Sequence, residues 1–368
     1  MSTADIRLIP LSSGSVSACA SGVEASGGSV DCSELTELTV RGVLQYSIIL
    51  IYFIPTQPRK VLMPRTLRIA AQQSAPVPIG TDRSSFADEV VALSGRADLV
   101  VYPELHLFGS ETWPDTERTE RLRASAVPID SELVQSLGDL ARRAGVWLIP
   151  GSICERGEQG ELFNTALVFS PDGDLVARYR KVFPWRPFEP YDPGDRFVTV
   201  DLDGLGRIGL SICYDAWFPE VSRHLAWMGA EVVVNIVKTT TPDRAQELVL
   251  ARANSIVNQT FTLSVNCAGP IGRGLSLVVD PDGEVLDASD DGDPVTLVTD
   301  LDLDRIAEVR EHGTAGTNRM WSQFRPADAP IELPLYAGRI DPERWHPAAT
   351  GATPLAGITR TRTANPTR

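Results

Sequence analysis

The chain is poor in the features that mark several common classes of protein. It carries no Lys/Arg-rich run, and its formal charge of −14 leaves no basic stripe to displace counterions from phosphates. Nucleic acid is excluded as a partner on that ground. Its five cysteines, Cys19, Cys32, Cys154, Cys213 and Cys267, are odd in number and scattered without close pairs, which suits a reducing cytoplasm better than a secreted disulfide scaffold. No CxxC or CxxH spacing offers zinc a site. Histidine is scarce, and none of His106, His224, His312 and His346 stands in a recognisable Cys-His protease signature. The apolar stretch GVLQYSIILIYFIP, Gly42 to Pro55, is well short of the roughly 20 residues a membrane helix needs. It also lacks the basic n-region and small-residue cleavage site of a signal peptide. No membrane partner is expected.

What is present points to an enzyme with a sizeable core, since 43% of 368 residues are apolar. Residues 1–62 stand apart: up to position 41 they are rich in Ser, Gly, Ala and Glu with little apolar periodicity. A poorly ordered extension is expected there, with the functional chain opening near Met63. The main domain is expected over 63–325, followed by a loop-rich tail over 326–368.

From Thr66 onward strand and helix patterns alternate, the signature of an α/β fold. Strands are predicted over Thr66 to Gln72, Ala97 to Tyr102, Val146 to Cys154, Arg207 to Ile212, Ala230 to Val237 and Phe261 to Cys267. Ser131 is expected to cap a helix that Gly145 closes, and Thr241-Pro242-Asp243 to start another that runs to about Asn258. Two hairpins of one design, around Ser170-Pro171-Asp172-Gly173 and within Ser276 to Ala288, suggest a duplicated sheet arrangement.

Three strands, two apolar and one alternating, end on chemistry, the place where open α/β sheets collect reactive groups. Glu104 follows LVVYP, Lys181 follows Leu175 to Arg180, and Cys213 follows Arg207 to Ile212. A thiol of ordinary pKa about 8.5 is mostly protonated at neutral pH and needs a base or a cation to become a nucleophile. Glu104 offers the base. Lys181 offers the cation, favouring thiolate and stabilising an oxyanion. Each residue alone has a plainer reading: a core cysteine, a helix-capping acid, a solvated cation on an edge strand. Their order along the chain raises the reactive reading above these.

Strand-Pro-Glu, Tyr-Arg-Lys and Ile-Cys-Tyr-Asp, in that order, resemble the three signatures of the nitrilase superfamily of carbon-nitrogen hydrolases, over about Leu67 to Arg325. More narrowly, YRKVFPWRPFEPYDPGD is similar to the segment of aliphatic amidases and formamidases in which a Glu stands eight positions after the Lys, here Glu189. The resemblance implies a four-layer αββα sandwich carrying a Glu-Lys-Glu-Cys tetrad, with no metal or organic cofactor. It implies that Glu104 acts as general base, that Lys181 and the Tyr214 N–H hold the oxyanion, that Glu189 positions the substrate amide and the water, and that Cys213 forms a thioester. Trp185 and Tyr214 are the expected pocket residues. The resemblance also implies a homo-oligomer, dimer or larger.

The substrate so implied is a small aliphatic amide. Two departures bear on it: Arg186-Pro187 replaces the Cys-Pro of aliphatic amidases, so that Arg186 either meets a substrate carboxylate or anchors its loop, and Glu189-Pro190-Tyr191-Asp192 replaces Glu-Gly-Trp-Tyr. An N-carbamoyl amino acid hydrolase is the alternative. A nitrilase is disfavoured, because those enzymes usually carry Cys-Trp-Glu where this chain has Cys213-Tyr214-Asp215. A catalytically silent scaffold is the reading from another class.

Overall fold

The structure, a computed structural model, describes residues 65–333 and the backbone of 338–340. The chain divides into two units, Met1–Lys60 and Val61–Arg368, and every described residue belongs to the second. The expected extension over 1–62 lies outside the described residues, as does most of the tail over 326–368.

Two sheets form, and they share one plan. In the first, β1 (Thr66–Gln73), β2 (Leu99–Val101) and β3 (Trp147–Ile149) run parallel. Antiparallel β5 (Leu162–Phe169) follows β3, and β5 pairs in turn with both β4 (Ser152–Arg156) and β6 (Leu175–Arg180). In the second sheet β8 (Arg207–Ile212), β9 (Val232–Val237) and β10 (Phe261–Asn266) run parallel, followed by antiparallel β11 (Leu277–Val279) and β12 (Val285–Ala288). An antiparallel edge strand closes each: β7 (Thr199–Asp201) on β8, and β13 (Val295–Asp302) on β1. The repeated hairpins are therefore the visible part of a duplicated order of strands.

The central strands are buried on both faces because each face is covered. Leu67, Ile69, Leu99 and Val101 of the first sheet pack against Ile208, Leu210, Val234, Ile236 and Leu263 of the second. Side chains of this size each contribute about 2 kcal/mol when fully removed from water. On the outer face of the first sheet, α1 (Ser84–Ala92) and α3 (Glu132–Ala144) lay Phe86, Val90, Leu137 and Leu140 over Val100, Leu148 and Leu167. On the second, α4 (Pro219–Trp227) sets Val221 and Leu225 against Val233, while α5 (Arg244–Asn258) sets Ala251 against Leu277 and Val279. The result is the αββα sandwich.

Helix α3 follows its sequence signals closely. Ser131 accepts the Val134 N–H at its start, and Gly145 takes the left-handed conformation, φ 65°, at its end. Elsewhere local signals mislead. The expected single strand from Val146 to Cys154 is split into β3 and β4, because Pro150 cannot donate to the ladder and Gly151 turns at φ 89°. The expected Thr241 cap also fails: α5 begins at Arg244, and the Thr241 hydroxyl donates to the Asp243 carboxylate instead. Helix α2 (Asp115–Ser125) buries only Leu122 and so carries no apolar periodicity to read.

Candidate active site

Pro103 has no N–H to continue the sheet, so the chain leaves β2 and carries Glu104 to the carboxyl end of the strands. Leu105 then turns at φ 52°, a costly conformation for a branched residue, and its N–H is held by Ser152 Oγ at 2.9 Å. The turn leaves no room opposite. A Cβ on Gly151 would lie 2.0 Å from the Pro103 carbonyl oxygen.

Lys181 follows β6 directly, and its side chain is 0% exposed. Burying an ammonium costs several kcal/mol unless partners compensate. Here two carboxylates do so: Nζ donates to Glu104 Oε1 at 3.1 Å and to both oxygens of Glu189 at 2.8 and 2.9 Å. Burial alone would lower the Lys181 pKa, but the carboxylates of Glu104 and Glu189 raise it well above the usual lysine range. Glu104 is fixed from the other side by Asn164 Nδ2 at 2.7 Å. Glu189 reaches Lys181 because the intervening segment folds back, its N–H donating to the Trp185 carbonyl and its carboxylate accepting the Trp185 N–H, both at 2.9 Å. Burial pushes the Glu189 pKa up, and Lys181 only partly offsets the rise.

Cys213 sits at φ 48°, the first residue after β8, and heads a short 3-10 turn through Trp217. Part of its surface opens to a small cleft lined by Trp185, Glu189, Tyr214, Trp217, Lys238 to Thr241, Asp243 and Glu247. Burial and the charges of Glu104, Glu247 and Glu189 raise the thiol pKa, and Lys181 pulls against them without prevailing. Lys181 acts in the expected direction, towards thiolate, but the low dielectric and three acids outweigh one cation. Cys213 rests as a thiol.

All four tetrad residues converge at this one place, and both expected pocket residues line the cleft. Arg196 pairs with Asp195 at 2.8 Å rather than with Glu189, and Arg186 is exposed and outside the cleft lining. His106 is buried against Phe86 and Tyr102, its pKa pushed down to about 3 by burial, and His224 contacts the Glu220 carbonyl one helical turn away. Among the described residues, no group of three or more His, Cys, Asp or Glu is arranged to hold a metal. No described helix is long and apolar enough to cross a membrane.

Four supporting residues escape a reading of the sequence. Asn164 is one. Asp215 is another, fully buried, accepting the Ile212 N–H at 2.9 Å, the Phe183 N–H at 2.9 Å and the Tyr179 hydroxyl at 2.7 Å. It ties the turn that holds Cys213 to the segment that holds Lys181. Thr239 Oγ1 stands 3.9 Å from Cys213 Sγ and donates to Glu247, which Arg244 pairs at 3.0 Å. The available signal was a polar residue isolated in an apolar run, as with Asn164 in LFNTALVF, or an Arg-Glu pair three apart on the inner face of a helix.

Comparison with known proteins agrees with this geometry. A family model described as carbon-nitrogen hydrolase matches residues 57–311. The chain is 35% identical over 228 residues to an (R)-stereoselective amidase of Pseudomonas sp., covering 60% of this chain and 79% of that one. It is 35% identical over 174 residues to a formamidase of Bacillus cereus (strain AH820), covering 47% of this chain and only 51%, about half, of the formamidase. Among solved structures, a branch 10 nitrilase-superfamily protein of Saccharomyces cerevisiae superposes with a TM-score of 0.59 at 25% identity, covering 67% of this chain and 94% of that one. A mutant amidase of Nesterenkonia sp. superposes with a TM-score of 0.55 at 25% identity, covering 67% of this chain and 93% of that one. That structure shows covalent addition of the acetamide moiety of fluoroacetamide at the active-site cysteine. The chain belongs to the carbon-nitrogen hydrolase family of the nitrilase superfamily, as an amidase-type member.

Proposed function

We propose that the protein hydrolyses the C–N bond of a small aliphatic carboxamide, giving carboxylate and ammonia through a thioester on Cys213. The observation that carries this reading is the fully buried Lys181 ammonium bridging Glu104 and Glu189 beside a thiol at the mouth of a cleft. So expensive an arrangement is unexplained by packing alone.

Because the sulfur rests protonated, Glu104 takes its proton as Sγ attacks the amide carbon. Negative charge gathers on the carbonyl oxygen, where Lys181 and the Tyr214 N–H stabilise it. Glu104 returns the proton to the amide nitrogen, the C–N bond breaks and ammonia leaves. Water then attacks the thioester with Glu104 again as base, Glu189 orienting first the amide N–H and then the water. The sulfur recovers its proton.

The test is ammonia release from formamide, acetamide, propionamide and an N-carbamoyl amino acid, with intact-mass detection of an acyl group on Cys213. Release from the amides, with a transient adduct of acyl mass, is expected. Release from the carbamoyl compound alone would move the protein to the carbamoyl hydrolases. No release from any compound would favour a silent scaffold.

A further inference from the structure

We infer that the cleft selects amides whose acyl chain ends in a cation, with Asp243 as the carboxylate that receives it. This rests on the amide reading above and adds a substrate class to it. The charges around the cleft fall into partnered and unpartnered groups. Glu189 is paired with Lys181, Glu247 with Arg244, and Lys238 with Glu111. Asp243 lines the same cleft, and its carboxylate accepts the Thr241 hydroxyl but pairs with no cation among the described residues. The cleft therefore presents an uncommitted carboxylate, whereas each of its cations is already engaged.

The aromatic part of the lining agrees. Trp185, Tyr214 and Trp217 line the same cleft, the rings of the last two 6.2 Å apart, and aromatic faces attract a cation through the ring quadrupole. The net charge of −14 adds a long-range field of the same sign preference. A substrate carboxylate would meet the reverse: it would compete with Glu111 for Lys238 while facing Asp243. On this ground the N-carbamoyl amino acids, which carry a carboxylate, are poor candidates. Asp243 also precedes the first turn of α5, where an acid complements the helix dipole. That role alone would leave substrate preference untouched, and the experiment separates the two.

The measurement is kcat/KM for 3-aminopropanamide, butyramide and succinamate, three amides of one length that end in ammonium, methyl and carboxylate. The ammonium compound should exceed the methyl one by about tenfold, the size of a single screened charge pair in a half-open cleft, and the carboxylate compound should be slowest. Asp243→Asn should collapse the ammonium-to-methyl ratio towards one, while Asp243→Glu should keep it above one. Turnover of butyramide with no preference for the ammonium, or a ratio unchanged in Asp243→Asn, would sink this inference and leave the amidase reading standing. No release from any of the three by the parent enzyme would overturn the reading beneath it and the inference together.

Discussion

The two halves of the sandwich share a strand plan but divide the chemistry unequally. The first sheet delivers the charged groups: Glu104 follows its second parallel strand, and Lys181 and then Glu189 follow its outer hairpin. The second sheet delivers the sulfur, from the end of its first parallel strand. Each half stabilises its contribution differently. In the first, opposite charges neutralise one another in a buried cluster. In the second, the backbone carries the strain, with Cys213 held in the left-handed region. Duplication of a scaffold thus brings strand ends to a common mouth, and non-equivalent ends of the two sheets carry the acid and the thiol.

The severest way to test this division is to remove the sulfur. Cys213→Ala should abolish ammonia release and acyl adduct formation while leaving the far-UV spectrum and cooperative melting intact, since the first sheet keeps its charge cluster. Retained turnover would mean that the second half does not supply the nucleophile. Next come the charges. Lys181→Ala should lower kcat/KM by roughly 10²- to 10³-fold, as loss of an oxyanion donor does. It should also destabilise the fold by about 3 kcal/mol, because two carboxylates are left buried without their cation. A variant that loses rate but not stability would show that the cluster is not held together by Lys181. Glu104→Gln should stop thioester formation itself, not only its hydrolysis; stopped-flow acylation at the parent rate would contradict its role as base.

How far this division was legible depends on whether a residue's setting is local. Glu104, Lys181 and Cys213 each follow a strand legible as apolar or alternating, so sequence alone places them at strand ends. Glu189 is different: its contact with Lys181 needs the Trp185 to Glu189 turn, which no periodicity announces, and it was reached only through the resemblance to amidases. Asn164, Asp215, Thr239 and Glu247 act through partners 26 to 60 residues distant or through buried contacts that tertiary packing creates. The resting state of the thiol is hidden from the sequence for a related reason. Proximity to a lysine can be guessed from a motif, but the burial that outweighs it cannot. The split of β3 from β4 was signalled by Pro150-Gly151, yet its purpose, room for the Pro103 carbonyl, appears only in three dimensions.

That last contact gives a gentler probe of the first half. Gly151→Ala keeps every charged group but forces a Cβ into the Pro103 carbonyl at a backbone conformation that suits glycine. It should cost about 2 kcal/mol in thermal unfolding and lower kcat/KM about tenfold by displacing Glu104. Loss of stability without loss of rate would show that Glu104 tolerates movement of its turn.

The smallest effect concerns Asp215, the residue that stitches the halves together. Burial raises its pKa to about 6 despite Lys181 and its three hydrogen-bond donors. As pH falls through about 6 the carboxylate gains a proton, one oxygen becomes a donor, and the grip on the Ile212 and Phe183 N–H groups weakens. Activity should therefore decline on the acid side with a midpoint near 6. Stability should move the other way. A carboxyl whose folded pKa exceeds its unfolded value of 3.8 contributes most below that value and loses its contribution as pH rises through about 6. From pH 8 to pH 5 the stability of Asp215→Asn relative to the parent should thus shift in the parent's favour by about 1.4 kcal/mol, the worth of one pKa unit. The same variant should lose the acid limb near pH 6, with kcat/KM lower by several-fold at pH 8. An acid limb that survives in Asp215→Asn would assign it to another group, and a stability difference flat with pH would show that Asp215 does not titrate in the folded protein.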